Sequence, residues 1–230
     1  MNQRVRLLAD WAIGQPVSYF WPIFAQVNSQ TGLPEWYLPN SNPDQIINAR
    51  KDPNAITSTF VPTLEQNTGI KRYPPINGGF GLNGGYEGFI ISVDFSFSKG
   101  KYLINNDRYF FENPNQFPGF NQAKVVLNYW QKPGDITQFP KYGVQFTQFD
   151  SRLIEDASFM RMKALTLGYN LPGSILRKTD VIKAVRFYVT GRNLLTFTKY
   201  TGPDPEVDSN LTLGVNPNTK QVAVGLDVTF

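Results

Sequence analysis

The chain contains no cysteine and no histidine. Without them neither a Cys/His zinc site nor a histidine-based nucleophilic triad can be assembled. A disulfide scaffold is excluded too, and the redox compartment stays undetermined. Charge is sparse: Asp, Glu, Lys and Arg make up 17% of the 230 residues, against roughly 25% in an ordinary soluble domain. The net charge of +4 is not gathered into a basic tract, which speaks against nucleic acid as a partner. No run approaches the ~20 apolar residues that a membrane helix needs. Within residues 1–14 the only apolar run contains Asp10 and Trp11, a pattern of neither a signal peptide nor an anchor.

Aromatics, by contrast, reach 14%, with 18 Phe and 11 Tyr. The 19 Gly and 17 Pro stay below the level of low-complexity disorder. The composition is that of an ordered, β-leaning and aromatic chain.

Alternation with period two is the main pattern. In residues 89–98, Phe89, Ile91, Val93, Phe95 and Phe97 share one parity, and Ser92, Asp94, Ser96 and Ser98 the other. Successive side chains of a strand point to opposite faces, so this reads as a ten-residue strand with one apolar and one polar side. Residues 78–86 read as its hairpin partner across Gly85-Tyr86-Glu87-Gly88. Val222, Val224, Leu226, Val228 and Phe230 alternate in the same way, as do Val185, Phe187, Val189, Leu195 and Phe197. Residues 164–170 form a further strand whose upstream part, with Met160 and Met162, breaks the parity. That break predicts either a bulge or a stretch standing clear of whatever the apolar face touches. Residues 17–27 are a weaker strand candidate, because Pro22 removes a ladder donor.

The connections alternate in length. Residues 85–88 are short and 171–183 moderate with a helical turn, whereas 28–77, 100–157 and 199–220 are long. In the second long stretch Ala123, Val126, Leu127 and Trp130 have helical spacing. Short turns at one end and long loops at the other are the asymmetry of an outer-membrane barrel. A soluble sandwich would also alternate, but its strands usually run about five or six residues, whereas a tilted transmembrane strand needs about 9–11. The strands at 89–98, 184–197 and 222–230 meet the longer requirement.

The run Glu155-Asp156-Ala157-Ser158-Phe159-Met160-Arg161-Met162-Lys163-Ala164-Leu165-Thr166-Leu167-Gly168-Tyr169-Asn170-Leu171-Pro172 resembles a motif of SusC/RagA-family TonB-dependent transporters. Val185-Arg186-Phe187-Tyr188-Val189-Thr190-Gly191-Arg192-Asn193-Leu194-Leu195-Thr196-Phe197-Thr198-Lys199-Tyr200 and Gly202-Pro203-Asp204-Pro205-Glu206 resemble it as well. Weaker matches are Trp130-Gln131-Lys132-Pro133-Gly134-Asp135, Gly78-Gly79-Phe80-Gly81-Leu82, Tyr86-Glu87-Gly88-Phe89 and, loosest, Gly14-Gln15-Pro16-Val17-Ser18-Tyr19-Phe20-Trp21.

The resemblance implies an all-β fold, a 22-stranded transmembrane β-barrel with a plug. Residues 1–230 would supply its C-terminal portion, about six antiparallel strands with long extracellular loops and no plug domain. It implies import of oligosaccharides or peptides across the bacterial outer membrane, with no cofactor and no catalysis. The partners it implies are a SusD-like surface lipoprotein, TonB through a part absent from this sequence, the barrel-assembly machinery and outer-membrane lipid. Val222, Val224, Leu226, Val228 and Phe230 would form the C-terminal assembly signal. Lumen-facing parity would fall to Asp94, Arg186, Arg192 and Asp227, since a charge on the lipid face near mid-bilayer costs ~2–4 kcal/mol. Leu38-Pro39-Asn40-Ser41-Asn42-Pro43-Asp44 departs from the Gly- and Asp-rich turn of many members, so no ligand role is carried over to it.

Other constellations compete. Gly79-Phe80-Gly81-Leu82-Asn83-Gly84 fits GxGxxG, but a dinucleotide site needs that run between a strand and a helix. Glu155/Asp156 and Asp204/Glu206 are carboxylate pairs of the kind a glycosidase uses. The loop aromatics Trp36, Tyr37, Tyr109, Phe110, Phe111, Phe117, Phe120 and Trp130 could stack on sugar rings or pack the loops, since Tyr and Trp are favoured at interfaces. A soluble all-β carbohydrate-binding module is the rival reading, and a β-rich glycosidase a third.

Overall fold

The computed structural model describes residues 17–39, 55–176, 181–209 and 211–230. The expectations at Gly14-Gln15-Pro16 and Asn40–Asp44 lie outside them. The strands in chain order are β1 (Ser18–Trp21), β2 (Phe24–Val27), β3 (Pro34–Tyr37), β4 (Ile56–Thr57), β5 (Gln66–Lys71), β6 (Ile76–Tyr86) and β7 (Phe89–Lys99). They continue with β8 (Tyr102–Asn105), β9 (Ile154–Asp156), β10 (Phe159–Asn170), β11 (Ala184–Arg192), β12 (Thr196–Thr198), β13 (Leu211–Thr212) and β14 (Gln221–Thr229). The chain divides into two compact units, a sheet unit (residues 74–100, 157–206 and 216–230) and a loop unit made from the rest.

The sheet unit is a six-stranded antiparallel sheet in the order β14-β11-β10-β7-β6, with β12 also pairing β10. β6 and β7 are joined by Glu87-Gly88, both with positive φ (47° and 90°). This is the primed two-residue turn whose twist suits a hairpin. The strand expected across 184–197 is instead two pieces. β11 stops at Arg192, Asn193 turns at φ 53°, and β12 resumes along the same side of β10.

The loop unit holds the three long connections. Its central three-stranded sheet runs β13-β8-β9, with β13 parallel to β8. Tyr19, Ile104, Leu153 and Ile154 form its core, with Trp21, Ile70, Tyr102 and Tyr109 packed on it. Val126, Phe139 and Phe146 form a second cluster under Tyr129. The strand proposed over 17–27 is split at Pro22: β1 pairs β5, and β2 pairs β3 in another sheet. The helix expected around 123–130 is a single 3-10 turn, Lys124–Leu127. Asp107–Phe111 is a short α-helix (α1) that apolar spacing did not flag, and Gly173–Leu176 is the helical turn expected in 171–183.

Candidate functional site

Cross-strand pairing puts the apolar residues of all five main strands on one side. Phe80, Phe95 and Met162 align in register, as do Leu82, Val93 and Leu165, and then Ile91, Leu167, Val189 and Val224. Many side chains of this face are exposed. Phe80, Leu82, Tyr86, Phe89, Ile91, Leu167, Phe187, Val189, Val222, Val224 and Leu226 are between 42% and 81% exposed. A water-soluble monomer rarely leaves bare an apolar patch larger than ~600 Å². Among the described residues, no helix is long and apolar enough to cross a membrane.

The opposite face is polar and built around glycine. Gly81 is cross-strand from Asp94, Gly225 from Tyr188, and Gly168 from Tyr188 beside Arg186. A Cβ at Gly81 would lie 2.6 Å from Asp94 Oδ1, and one at Gly225 2.1 Å from the Tyr188 ring. The long polar side chains therefore lie flat over glycines. The Arg186 guanidinium sits 5.6 Å above the Tyr188 ring. Asp94, Arg186, Arg192 and Asp227 all fall on this face, and Arg186 pairs directly across from Asp227.

β10 carries the bulge foreseen as one of two outcomes at the methionines. Met162 pairs with Phe95 and Ala164 with Asp94, leaving Lys163 as the extra residue. The insertion shifts the phase, so Met160 and Met162 join the apolar face and Arg161 the polar one. There Arg161 donates from Nη1 to Glu206 and from Nη2 to Asp204, both at 2.7 Å, and from Nε to Thr196 at 2.9 Å. Lys163 also pairs with Glu206. The Arg161 and Asp204 side chains are 4% and 3% exposed. Burial alone would raise the Asp204 carboxyl. The Arg161 hydrogen bond, the N–H groups of Asn218 and Glu206, and the Arg161 charge together hold it below its ordinary value.

In the loop unit the carboxylates are likewise engaged. Glu155 accepts from Arg108 and Asn105, and Arg108 also forks onto Glu112. Burial opposes the Arg108 charge, but the hydrogen bonds and charges of Glu112 and Glu155 outweigh it and push its pKa up. Asp150, wholly buried, accepts from the Trp36 indole at 2.9 Å and from Arg152 at 2.7 Å. Arg152 in turn lies 3.9 Å over the Phe24 ring. Neither carboxylate pair is the free acid and base that glycoside hydrolysis needs.

The aromatics pack. Trp36 is 1% exposed. Tyr109, Phe110, Phe117 and Phe120 are in ring contact, with Tyr109 stacked on Phe149 at 4.1 Å. Phe111 and Phe120 keep exposed edges. Trp130 donates to the Ser29 carbonyl and covers Gly32, where a Cβ would come within 2.5 Å of the ring. Asp135 accepts the N–H groups of Gln131 and Lys132, which lowers its pKa. The GxGxxG run lies inside β6 with a strand on its far side, so no helix N-terminus meets it.

Known proteins share this arrangement. The RagAB peptide importer in an 'open-open' state superposes with a TM-score of 0.85 at 39% identity, over 96% of this chain. The chain belongs to the SusC/RagA family of TonB-dependent receptors. TonB-dependent receptor P3 of Formosa agariphila is 32% identical over 68% of the chain, and TonB-dependent receptor SusC of Bacteroides thetaiotaomicron is 38% identical over 34%. No protein-family model matches it. The chain spans 16% of the length of receptor P3 and 23% of the superposed RagAB chain.

The SusC/RagA motifs prove to be structural joints. Glu155 anchors α1 through Arg108, Asn193 turns between β11 and β12, and Asp204 and Glu206 hold Arg161. Parity alone did not reveal the Arg161–Asp204 pairing or the Trp36–Asp150–Arg152 network. Pro203 and Pro205, on either side of Asp204, marked a rigid turn, but nothing local named its cation.

Proposed function

We propose that this chain forms part of the wall and the surface loops of an outer-membrane nutrient importer of the SusC/RagA kind. One observation carries the reading: a sheet with a bare apolar face, a polar opposite face and two open edges. Among the described residues β6 pairs only with β7 and β14 only with β11. Open edges in hydrocarbon leave backbone groups unsatisfied, so the sheet requires further strands. The apolar face then meets lipid, and the polar face with Asp94, Arg186, Arg192 and Asp227 lines the lumen.

The long connections leave from the ends opposite the Glu87-Gly88 turn. In this reading that end faces the outside, where the loops meet a SusD-like lipoprotein. TonB acts through parts of the receptor beyond this chain. The alternating face of β14, with Val222, Val224, Leu226, Val228 and Phe230, is the surface that barrel-assembly machinery would read. The peptide cargo of RagAB favours peptides over oligosaccharides, though only by analogy. The role is passive, as wall and scaffold rather than catalyst. A soluble carbohydrate-binding module would have to cover its apolar face, and this one is bare.

The test is fractionation of the full-length receptor that contains this chain. It should sediment with outer membrane, need detergent for extraction and migrate faster on gels unboiled than boiled. Recovery as a monodisperse soluble protein without detergent would overturn the proposal.

A further inference from the structure

The polar face of the sheet is open over much of its length, where Asp94, Arg192 and Asp227 are exposed. Toward the end from which the long connections leave, it is closed. Ser98, Phe159 and Arg161 are buried there, and the Oγ atoms of Ser96 and Ser98 are shut off without a partner. Ser96 lies directly across from Arg161. The segment bonded to Arg161 is residues 199–206, whose Tyr200 and Asp204 are themselves buried.

Three features fasten that segment. Arg161 takes Asp204 and Glu206 on separate arms of one guanidinium, with Lys163 adding to Glu206. Asp204 Oδ1 also caps the Glu206 N–H, and its Oδ2 accepts the Asn218 N–H at 2.8 Å. One carboxylate thus ties both arms of the connection between β12 and β14 to β10. Finally, the Tyr200 ring lies against Gly202, where a Cβ would come within 2.4 Å of it. The β10 bulge makes this possible. Counting back by twos from Ala164 in an unbroken strand would put Arg161 on the apolar face.

We infer that residues 199–206 are a latched strap, which Arg161 holds across the polar face and which closes one end of that face until the latch is released. The inference rests on the importer reading, in which that face lines the solute path. The strap narrows the path at the end of the long loops, and its ion pairs, not the strand ladder, set how readily it lifts.

The experiment uses the full-length receptor in isolated outer membranes, with Ser96→Cys as reporter and a maleimide as probe. Asp204→Asn with Glu206→Gln removes the latch from the strap side and leaves β10 and Arg161 unchanged. Breaking a buried charge pair should raise the open population, and labelling should speed up about ten-fold or more. Assembly is read in parallel from the gel shift on boiling. If the double variant fails to assemble, Glu206→Gln alone should give a smaller but clear acceleration. Equal labelling of parent and assembled variant overturns the strap. The importer reading is tested separately by Ile136→Cys, 93% exposed in a long connection, which an impermeant maleimide should reach on intact cells. Failure there defeats the outside placement but leaves the strap result standing.

Discussion

Replacing Val93 by arginine tests the orientation of the sheet most directly. The apolar positions from Phe89 to Phe97 span about 27 Å along β7 at ~3.4 Å per residue. At a tilt near ~40° that becomes roughly 20 Å along the membrane normal, most of the ~25 Å apolar band of a barrel. Val93 is the midpoint of that span, flanked by Leu82 on β6 and Leu165 on β10. An arginine there meets hydrocarbon at its deepest, where the penalty is ~2–4 kcal/mol. That corresponds to a loss of between about 30- and 700-fold in the folding equilibrium, at tenfold per 1.4 kcal/mol. The neighbouring Ser92 pairs with Asn83 and Thr166 on the polar face, and arginine there should shift stability by less than about 1 kcal/mol. The assay is a urea titration of the full-length receptor in lipid vesicles, scored by the mobility difference between boiled and unboiled samples. Equal shifts at Val93 and Ser92 would refute the assignment of the two faces.

Four further outcomes are expected. Gly88→Ala should cost about 1–3 kcal/mol, because φ is 90° and the new Cβ would lie 2.8 Å from the Asn170 carbonyl oxygen. Glu87→Asn, at φ 47°, should instead be neutral or slightly stabilising, so the same urea titration should fall at Gly88 and hold or rise at Glu87. Asp150→Ala strips the Trp36 indole and Arg152 of a buried acceptor, and should cost about 3 kcal/mol, seen as faster protease cleavage of the long connections with the sheet still assembled. Asp204 has a lowered carboxyl pKa, so its contribution is present above the ordinary carboxylate range and is lost as pH falls through its folded value. Labelling at Ser96→Cys, expressed relative to a free thiol labelled at the same pH, should therefore stay low near neutrality and rise only in strong acid, whereas a rise of that ratio near neutrality would contradict the sign.

The sheet was legible because its signal is local. A strand with one face in apolar surroundings must alternate, and residues 89–98 and 222–229 do so almost without exception. The methionines at 160 and 162 announced the Lys163 bulge, although the parity break alone did not separate a bulge from a stretch standing clear. The loop unit was illegible for the opposite reason. Trp36 is buried against a carboxylate 114 residues away, and the half-buried Trp130 lies over a glycine turn at 29–32. Such pairs leave no periodic trace in either partner's neighbourhood. β11 looked continuous with β12 since Leu195 and Phe197 keep the parity of Val189. The turn at Asn193 falls where β10 bulges, so both strands slip together and the pattern survives.

The loop unit is assembled from three separated stretches of chain, 17–73, 101–156 and 207–215 among the described residues, yet they share one set of contacts. Tyr19 donates to the Tyr102 carbonyl, Phe24 N–H to Ser151 Oγ, and β13 completes the sheet around β8. Recombination between related receptors therefore meets a constraint that the strands do not impose. Exchanging a single connection leaves its counterparts with mismatched surfaces and orphaned donors, whereas exchanging all three together carries the whole cluster intact. Diversity in this part of the molecule is inherited as a set, and chimeras built one loop at a time are expected to fail where three-loop transplants succeed.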